Sequence, residues 1–233
     1  MNAYEQKMIM KREIISDKSI WTAKKRYIMN VYDSEGVRFE KPELKMMGIE
    51  AIRSSTPAVC REYIKNTLHL IMNENEETVQ KYIAQIRKEF FALPFEDVAF
   101  PRGINFEKKV KGPNGGVYSE SYADKNTIYK KATPLQVKGA LLYNHYLNKY
   151  NLQKKYQTIN DGEKIRFSYL KMPNPIRDKV IACPDVLPKE FGLEQYIDYE
   201  TQFDKGYLDP VNVILHTIGW THEKQNTIED FFT

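Results

Sequence analysis

Apolar and polar residues alternate through residues 21–39 around a glycine-containing turn, and this period of two predicts a β-hairpin. On such a strand Lys25 and Tyr27 share one face, while Lys24 and Arg26 share the other. Residues 4–15 read as an earlier strand that leads into a loop around Asp17 and Lys18. From residue 54 onward the period lengthens. Ser54-Ser55-Thr56-Pro57 sets hydroxyls before a proline, predicting a helix with Thr56 as N-cap and Pro57 at its first position. Val59, Tyr63, Ile64, Leu68 and Ile71 continue it at helical spacing. After the polar turn Asn73-Glu74-Asn75, the period resumes with Val79, Tyr82, Ile83, Ile86 and Phe90 until Leu93-Pro94 stops it. The prediction is a helical hairpin.

Between residues 101 and 133 the periodicity gives way to Gly, Asn, Lys and Tyr, which predicts a loop-rich excursion. Its cluster Gly112-Pro113-Asn114-Gly115-Gly116 lacks the Lys-Ser/Thr of a phosphate loop and reads as a turn. Residues 135–152 are helical again, and 165–170 form a strand. Two acidic amphipathic helices are predicted over 193–203 and 210–219, the second capped by Asp209. The pattern is that of an α+β chain: N-terminal strands, then a mainly helical part with a small β element. The joint falls near Gly48 to Ser55.

Composition narrows the classes. A chain of 233 residues with 42% hydrophobic content can bury a sizeable core. It has no apolar run of the length that spans a bilayer, and its first sixteen residues are too charged for a signal peptide. A soluble intracellular protein is expected. Cys60 and Cys183 stand apart, indicating neither a disulfide framework nor a zinc site, and both read as reduced and structural. The net charge of +4 conceals an asymmetry: residues 102–179 carry 16 Lys+Arg against 6 Asp+Glu, and residues 180–233 carry 3 against 10. The basic block is a candidate polyanion surface, unless charge clustered in sequence is dispersed in space.

Lys24-Lys25-Arg26-Tyr27 is the sharpest local signal, since three cations beside an aromatic suit a nucleic-acid backbone. Lysine beside a phenol can reach minor-groove acceptors, and the other two cations suit phosphate or a protein surface. The alternative is a solvated strand end. The four histidines lack metal-ligand spacing, and no nucleophile elbow or Cys/His constellation occurs. Glu13 alone could not build a two-metal site, which needs convergent carboxylates, and an ordinary surface glutamate is the default. In the tail, Ile228 stands three residues ahead of Phe231-Phe232: a peptide for a groove, or aromatics folded back on the acidic helices.

Taken in order, four segments resemble the carboxy-terminal part of the family B replicative DNA polymerases of tailed phages. Met10-Lys11-Arg12-Glu13 with Trp21-Thr22-Ala23-Lys24-Lys25-Arg26-Tyr27 looks like the last part of the palm and its Lys-Lys-Arg-Tyr motif. Lys45-Met46-Met47-Gly48-Ile49-Glu50 with Ser54-Ser55-Thr56-Pro57 is similar to the lead-in to the thumb. Lys138-Gly139-Ala140-Leu141-Leu142-Tyr143-Asn144 and the segment from Asn174 to Pro184 resemble further thumb pieces. Residues 100–133 match poorly. Lys11 stands where the family usually has an acid, and Cys183 where it usually has a Trp, which leaves Glu13 as the matching carboxylate.

The resemblance implies a palm remainder over residues 1–50, a thumb over 51–225 and a clamp-binding tail over 226–233. Lys25 and Tyr27 would contact the minor groove of primer-template DNA, with Lys24 and Arg26 on phosphate. Lys138, Tyr143, Lys171 and Lys179 would hold duplex behind the active site, and Ile228, Phe231 and Phe232 would engage a sliding clamp. The exonuclease, the fingers and the palm's metal-binding aspartates are missing from this chain. A start at Met1 favours a separately encoded subunit that needs an N-terminal partner chain and is inactive alone. Mg²⁺ is expected in the complete polymerase, with none bound by this chain alone. Glu13 would be an accessory palm carboxylate. The implied setting is the cytoplasm of an infected bacterial cell, without a membrane partner. A stand-alone duplex-binding accessory tethered to a clamp is the alternative.

Overall fold

The computed structural model describes residues 11–113 and 115–224. Three antiparallel strands come first: β1 (Ile14–Ala23), β2 (Arg26–Ser34) and β3 (Val37–Met47), adjacent in that order. Ile20, Ile28 and Met46 lie opposite one another across the sheet and turn inward. The neighbouring row of Trp21, Tyr27 and Met47 points the other way. The glycine-containing turn forms as predicted, with Glu35 and Gly36 both left-handed (φ 54° and 92°), as a two-residue hairpin turn requires.

Two strand expectations are corrected. Asp17 and Lys18 belong to β1, which absorbs them through an irregularity of register between Ser16 and Ser19 instead of breaking into a loop. The Lys18 ammonium reaches the Met72 carbonyl (2.7 Å) near the C-terminal end of the first helix, where a cation suits the helix dipole. Lys24 and Lys25 are not on a strand: they make the turn between β1 and β2, Lys25 in the left-handed region (φ 63°). A turn has no alternating faces, so the division of the tetrad into two faces does not hold.

Helices α1 (Ala58–Asn73) and α2 (Glu76–Phe91) form the expected helical hairpin. The first begins one residue late. Pro57, at φ −52° and ψ 144°, is itself the cap residue, and Thr56 is buried without capping the helix. Asn75 caps α2 by accepting from the Thr78 amide (3.0 Å). A short α3 (Phe95–Val98) follows.

The excursion over 101–133 is not mainly loop. It contains β4 (Phe100–Gly103), a hairpin of β5 (Glu107–Lys111) and β6 (Val117–Ser121), and the small ladder β7 (Ala123–Asp124) with β8 (Ile128–Tyr129). The β5–β6 hairpin mixes charged residues with Val110 and Tyr118 on one face and with Val117 on the other, so it carries no clean hydrophobic alternation to read. Next come α4 (Leu135–Lys149), β9 (Lys164–Tyr169) and β10 (Val180–Cys183), and β4, β9 and β10 form one antiparallel sheet. Gly139 lets α4 lie directly on β10: a Cβ there would stand 2.9 Å from the Ala182 backbone nitrogen.

The two acidic helices are really one helical run. Asp198 accepts from the Thr201 amide (3.1 Å) to start α5 (Tyr199–Phe203), a wider turn over Asp204–Leu208 continues it, and α6 (Asp209–Thr217) ends it. Asp209 therefore lies inside the run and caps nothing. At Gly206 a Cβ would meet the Cys60 sulfur at 2.9 Å, so the wide turn sits where α1 comes closest.

Two clusters of buried side chains result. One gathers α4, β9, β10 and their surrounding loops; the other gathers α1, α2 and the 199–217 run. Ile28, Ile49 and Ala51 belong to the second, so the core is continuous across the joint expected near Gly48. Among the described residues, no helix is long and apolar enough to cross a membrane.

Candidate nucleic-acid interface

The β1–β2 turn is a basic tip with an aromatic flank. Lys24 and Lys25 are exposed and make no ion pair among the described residues. Behind them Trp21 and Tyr27 are directly opposite on β1 and β2, their rings 4.7 Å apart and tilted by 36°. Trp21 is 57% exposed, and its indole N–H donates to the Ser19 hydroxyl (3.2 Å), which fixes its orientation. Composition and spacing give Trp21 no role; its place opposite Tyr27 follows only from the register of the hairpin.

Gly48 holds this tip in place. It is left-handed (φ 68°), and a Cβ added there would stand 2.4 Å from the Lys25 carbonyl oxygen, so only glycine lets the end of β3 pass beneath the turn. Arg26 has a different task from its neighbours. Its guanidinium makes two hydrogen bonds to the Glu50 carboxylate (3.0 and 2.7 Å), with both side chains largely out of solvent, 21% and 17% exposed. Arg53 adds a second cation to Glu50 at 3.5 Å. Arg26 thus ties the sheet to the segment ahead of α1, and is not free for phosphate.

The second basic region is the loop between β9 and β10. Asn174 is buried and organises it, donating to the carbonyls of Lys171 (2.8 Å) and Asp178 (2.7 Å). The Leu170 amide donates to the Lys179 carbonyl (2.8 Å), which brings the two ends of the loop together. Lys171 and Lys179 border one surface depression with Tyr169, Asp198 and Thr201. Arg177 projects from the loop, exposed and left-handed (φ 53°), a cation the sequence reasoning did not select.

Lys138 and Tyr143 are placed otherwise. The Lys138 ammonium is 3.0 Å from the Asp178 carboxylate and sits over the Tyr129 ring at 4.5 Å, while the Tyr129 hydroxyl donates to the same carboxylate. Burial alone would lower the Lys138 pKa; hydrogen bonding with Tyr129 and Asp178 outweighs it and holds the charge above the ordinary lysine range. Tyr143 is 1% exposed, its hydroxyl donating to the Gln157 carbonyl (3.1 Å), and burial pushes its phenol well up. Its expected place against a duplex is corrected: it is a core residue of α4.

Glu13 is exposed, and its carbonyl accepts from the Glu35 amide (2.7 Å) beside the β2–β3 turn. The nine residues of β2 separate that turn from the basic tip, roughly 30 Å in extended chain. Proximity in sequence to the tetrad did not become proximity in space. Among the described residues, no group of three or more His, Cys, Asp or Glu could hold a metal ion. A lone exposed carboxylate does not fit magnesium. Ile228, Phe231 and Phe232 lie outside the described residues.

Along its whole length the chain is 33% identical, over 244 aligned positions, to a DNA-directed DNA polymerase of Enterobacteria phage T4. It is 28% identical over 246 positions to a DNA-directed DNA polymerase of Escherichia phage RB69. The chain is similar, end to end, to phage DNA-directed DNA polymerases. It spans about a quarter of the length of each of these relatives (25%). No protein-family model matches it. Among the residues that carried the polymerase resemblance, many hold backbone in place instead of meeting a ligand. Gly48 supports the basic turn, Gly139 seats α4 on β10, and Asn174 shapes the 171–179 loop.

Proposed function

We propose that this chain is the carboxy-terminal portion of a phage DNA polymerase, with β1–β3 completing a palm and residues 51–225 forming a thumb. The observation that carries this reading is the match of the entire chain to one quarter of two DNA-directed DNA polymerases. The chain's task is to hold primer-template duplex. Lys24 and Lys25 reach the duplex at the basic tip, with Tyr27 and Trp21 as the aromatic wall beside them. Lys171 and Lys179, joined by Arg177, make salt-sensitive backbone contacts further along. Arg26 and Lys138 act from behind, keeping the tip and the loop in position through Glu50 and Asp178.

A partner chain supplies the exonuclease, the fingers and the carboxylates for magnesium, with Glu13 an accessory group facing it. Ile228, Phe231 and Phe232 tether the assembly to a sliding clamp, raising effective concentration without altering chemistry. The test is primer extension with the purified chain, a partner carrying the missing palm, and the two mixed. Extension is expected only from the mixture. If the two chains neither associate nor extend a primer together, the split-polymerase reading fails; salt-sensitive duplex binding by this chain alone would then favour the accessory protein.

A further inference from the structure

The β5–β6 hairpin is an arm whose two faces differ in kind. On one face Glu120 pairs with both Lys108 (3.1 Å) and Lys130 (2.9 Å), and Val110 lies opposite Tyr118. On the other face Lys109 and Lys111 are exposed and make no ion pair among the described residues. Two positions apart on one strand, they stand roughly 7 Å from each other, a spacing that reaches two phosphates of one nucleic-acid strand. Ser119 is directly opposite Lys109 and Ser121 opposite Glu107, so hydroxyl donors line the same face. Glu107 is the one carboxylate there, and it lies at the base of the arm.

The base is fixed. The Phe106 amide donates to Asp161 (2.6 Å), the Tyr122 amide donates to the Phe106 carbonyl (2.9 Å), and both rings pack on the core around α4. Each face sees two lysines and one carboxylate, but Glu120 engages its two lysines whereas Glu107 makes no ion pair among the described residues, so the cations of the second face stay available. The free side offers two cations and two hydroxyls, with Val117 its single apolar member. That is the chemistry of a sugar-phosphate backbone more than of a protein surface.

We propose that Lys109 and Lys111 of this arm grip the backbone of duplex DNA, giving the chain a third contact beyond the basic tip and the 171–179 loop. The proposal rests on the duplex-holding reading above. It is tested with the full chain and a primer-template duplex, reading affinity by fluorescence anisotropy across a potassium chloride series. Lys109→Gln/Lys111→Gln is expected to weaken binding on the order of tens-fold near 0.1 M salt and to flatten the salt slope by about 1.8. Lys108→Gln, on the face where Glu120 engages the lysines, is expected to leave both quantities as in the unaltered chain. An unaltered chain that binds, beside a double variant of equal affinity and slope, overturns the arm and leaves the duplex-holding reading standing. A Lys108→Gln effect as large as that of the double variant also overturns it, since net charge and not the face would then be at work. An unaltered chain without salt-dependent binding overturns the duplex-holding reading and the arm with it.

Discussion

Arg26 and its two neighbours carry the same charge in sequence and do different work in the fold. Arg26 is held by two hydrogen bonds to Glu50, whereas Lys24 and Lys25 have no such partner among the described residues. Arg26→Ala should therefore cost about 1–3 kcal/mol of stability, read from urea midpoints, because it leaves a half-buried carboxylate without its bidentate partner. Lys24→Ala/Lys25→Ala should leave the midpoint within about 0.5 kcal/mol and instead lower the salt slope of duplex binding by roughly 0.9 per lost contact. The opposite pattern would reassign the roles. The tetrad itself was legible in the sequence, as a run of cations beside an aromatic. Its geometry was not, because a left-handed Lys25 is invisible to any reading based on alternation. Tyr143 came from the resemblance alone: five residues past Lys138 it is rotated about 140° around α4 and faces the core.

Among the elements, those built on apolar periodicity were legible. The α1–α2 pair, α4, β9 and the glycine turn of β2–β3 all form about where the pattern puts them. The β5–β6 hairpin escaped because charged residues interrupt both of its faces, and the single helical run over 199–217 looked like two because Gly206 and Pro210 interrupt it. Gly48 marks an element boundary of another sort. Gly48→Ala puts a Cβ 2.4 Å from the Lys25 carbonyl at a left-handed position, so either β3 or the basic turn must move. The expected cost is about 1–3 kcal/mol, accompanied by weaker duplex binding, since the turn is displaced. A variant with unaltered stability and affinity would show that the turn does not depend on this close approach.

For the whole molecule, alkaline pH is the informative variable. Burial pushes the Cys60 thiol up to about 12, and it raises Cys183, Tyr143 and Tyr207 as well. Once pH rises past the ordinary thiol value of 9.0, the unfolded chain releases protons that the folded chain retains. Stability should thus be level through neutral pH and fall progressively above about pH 9, as urea midpoints at pH 7.5, 9.5 and 10.5 would show. Replacing both cysteines by alanine should make the first part of that decline shallower. The charge asymmetry between residues 102–179 and 180–233 was plain in the sequence; which of those cations face free solvent was decided only by the ion pairs of the fold.

Ile28 and Ile49 sit in one core with Leu68 and Phe203, while the other core is built around α4 and β10. Tyr199 packs against both, and Gln202 bridges them, its side chain bonded to the Tyr169 amide (3.1 Å) and the Val98 carbonyl (2.7 Å). Any swing of the helices about Gly48 would pull Ile28 out of its neighbours, so the sheet and the α1–α2 pair travel together as a handle. Any movement of one core against the other must instead break the Tyr199 and Gln202 contacts and the bond from the Arg102 guanidinium to the Ser55 carbonyl, with the basic tip on one side of that boundary and the arm on the other.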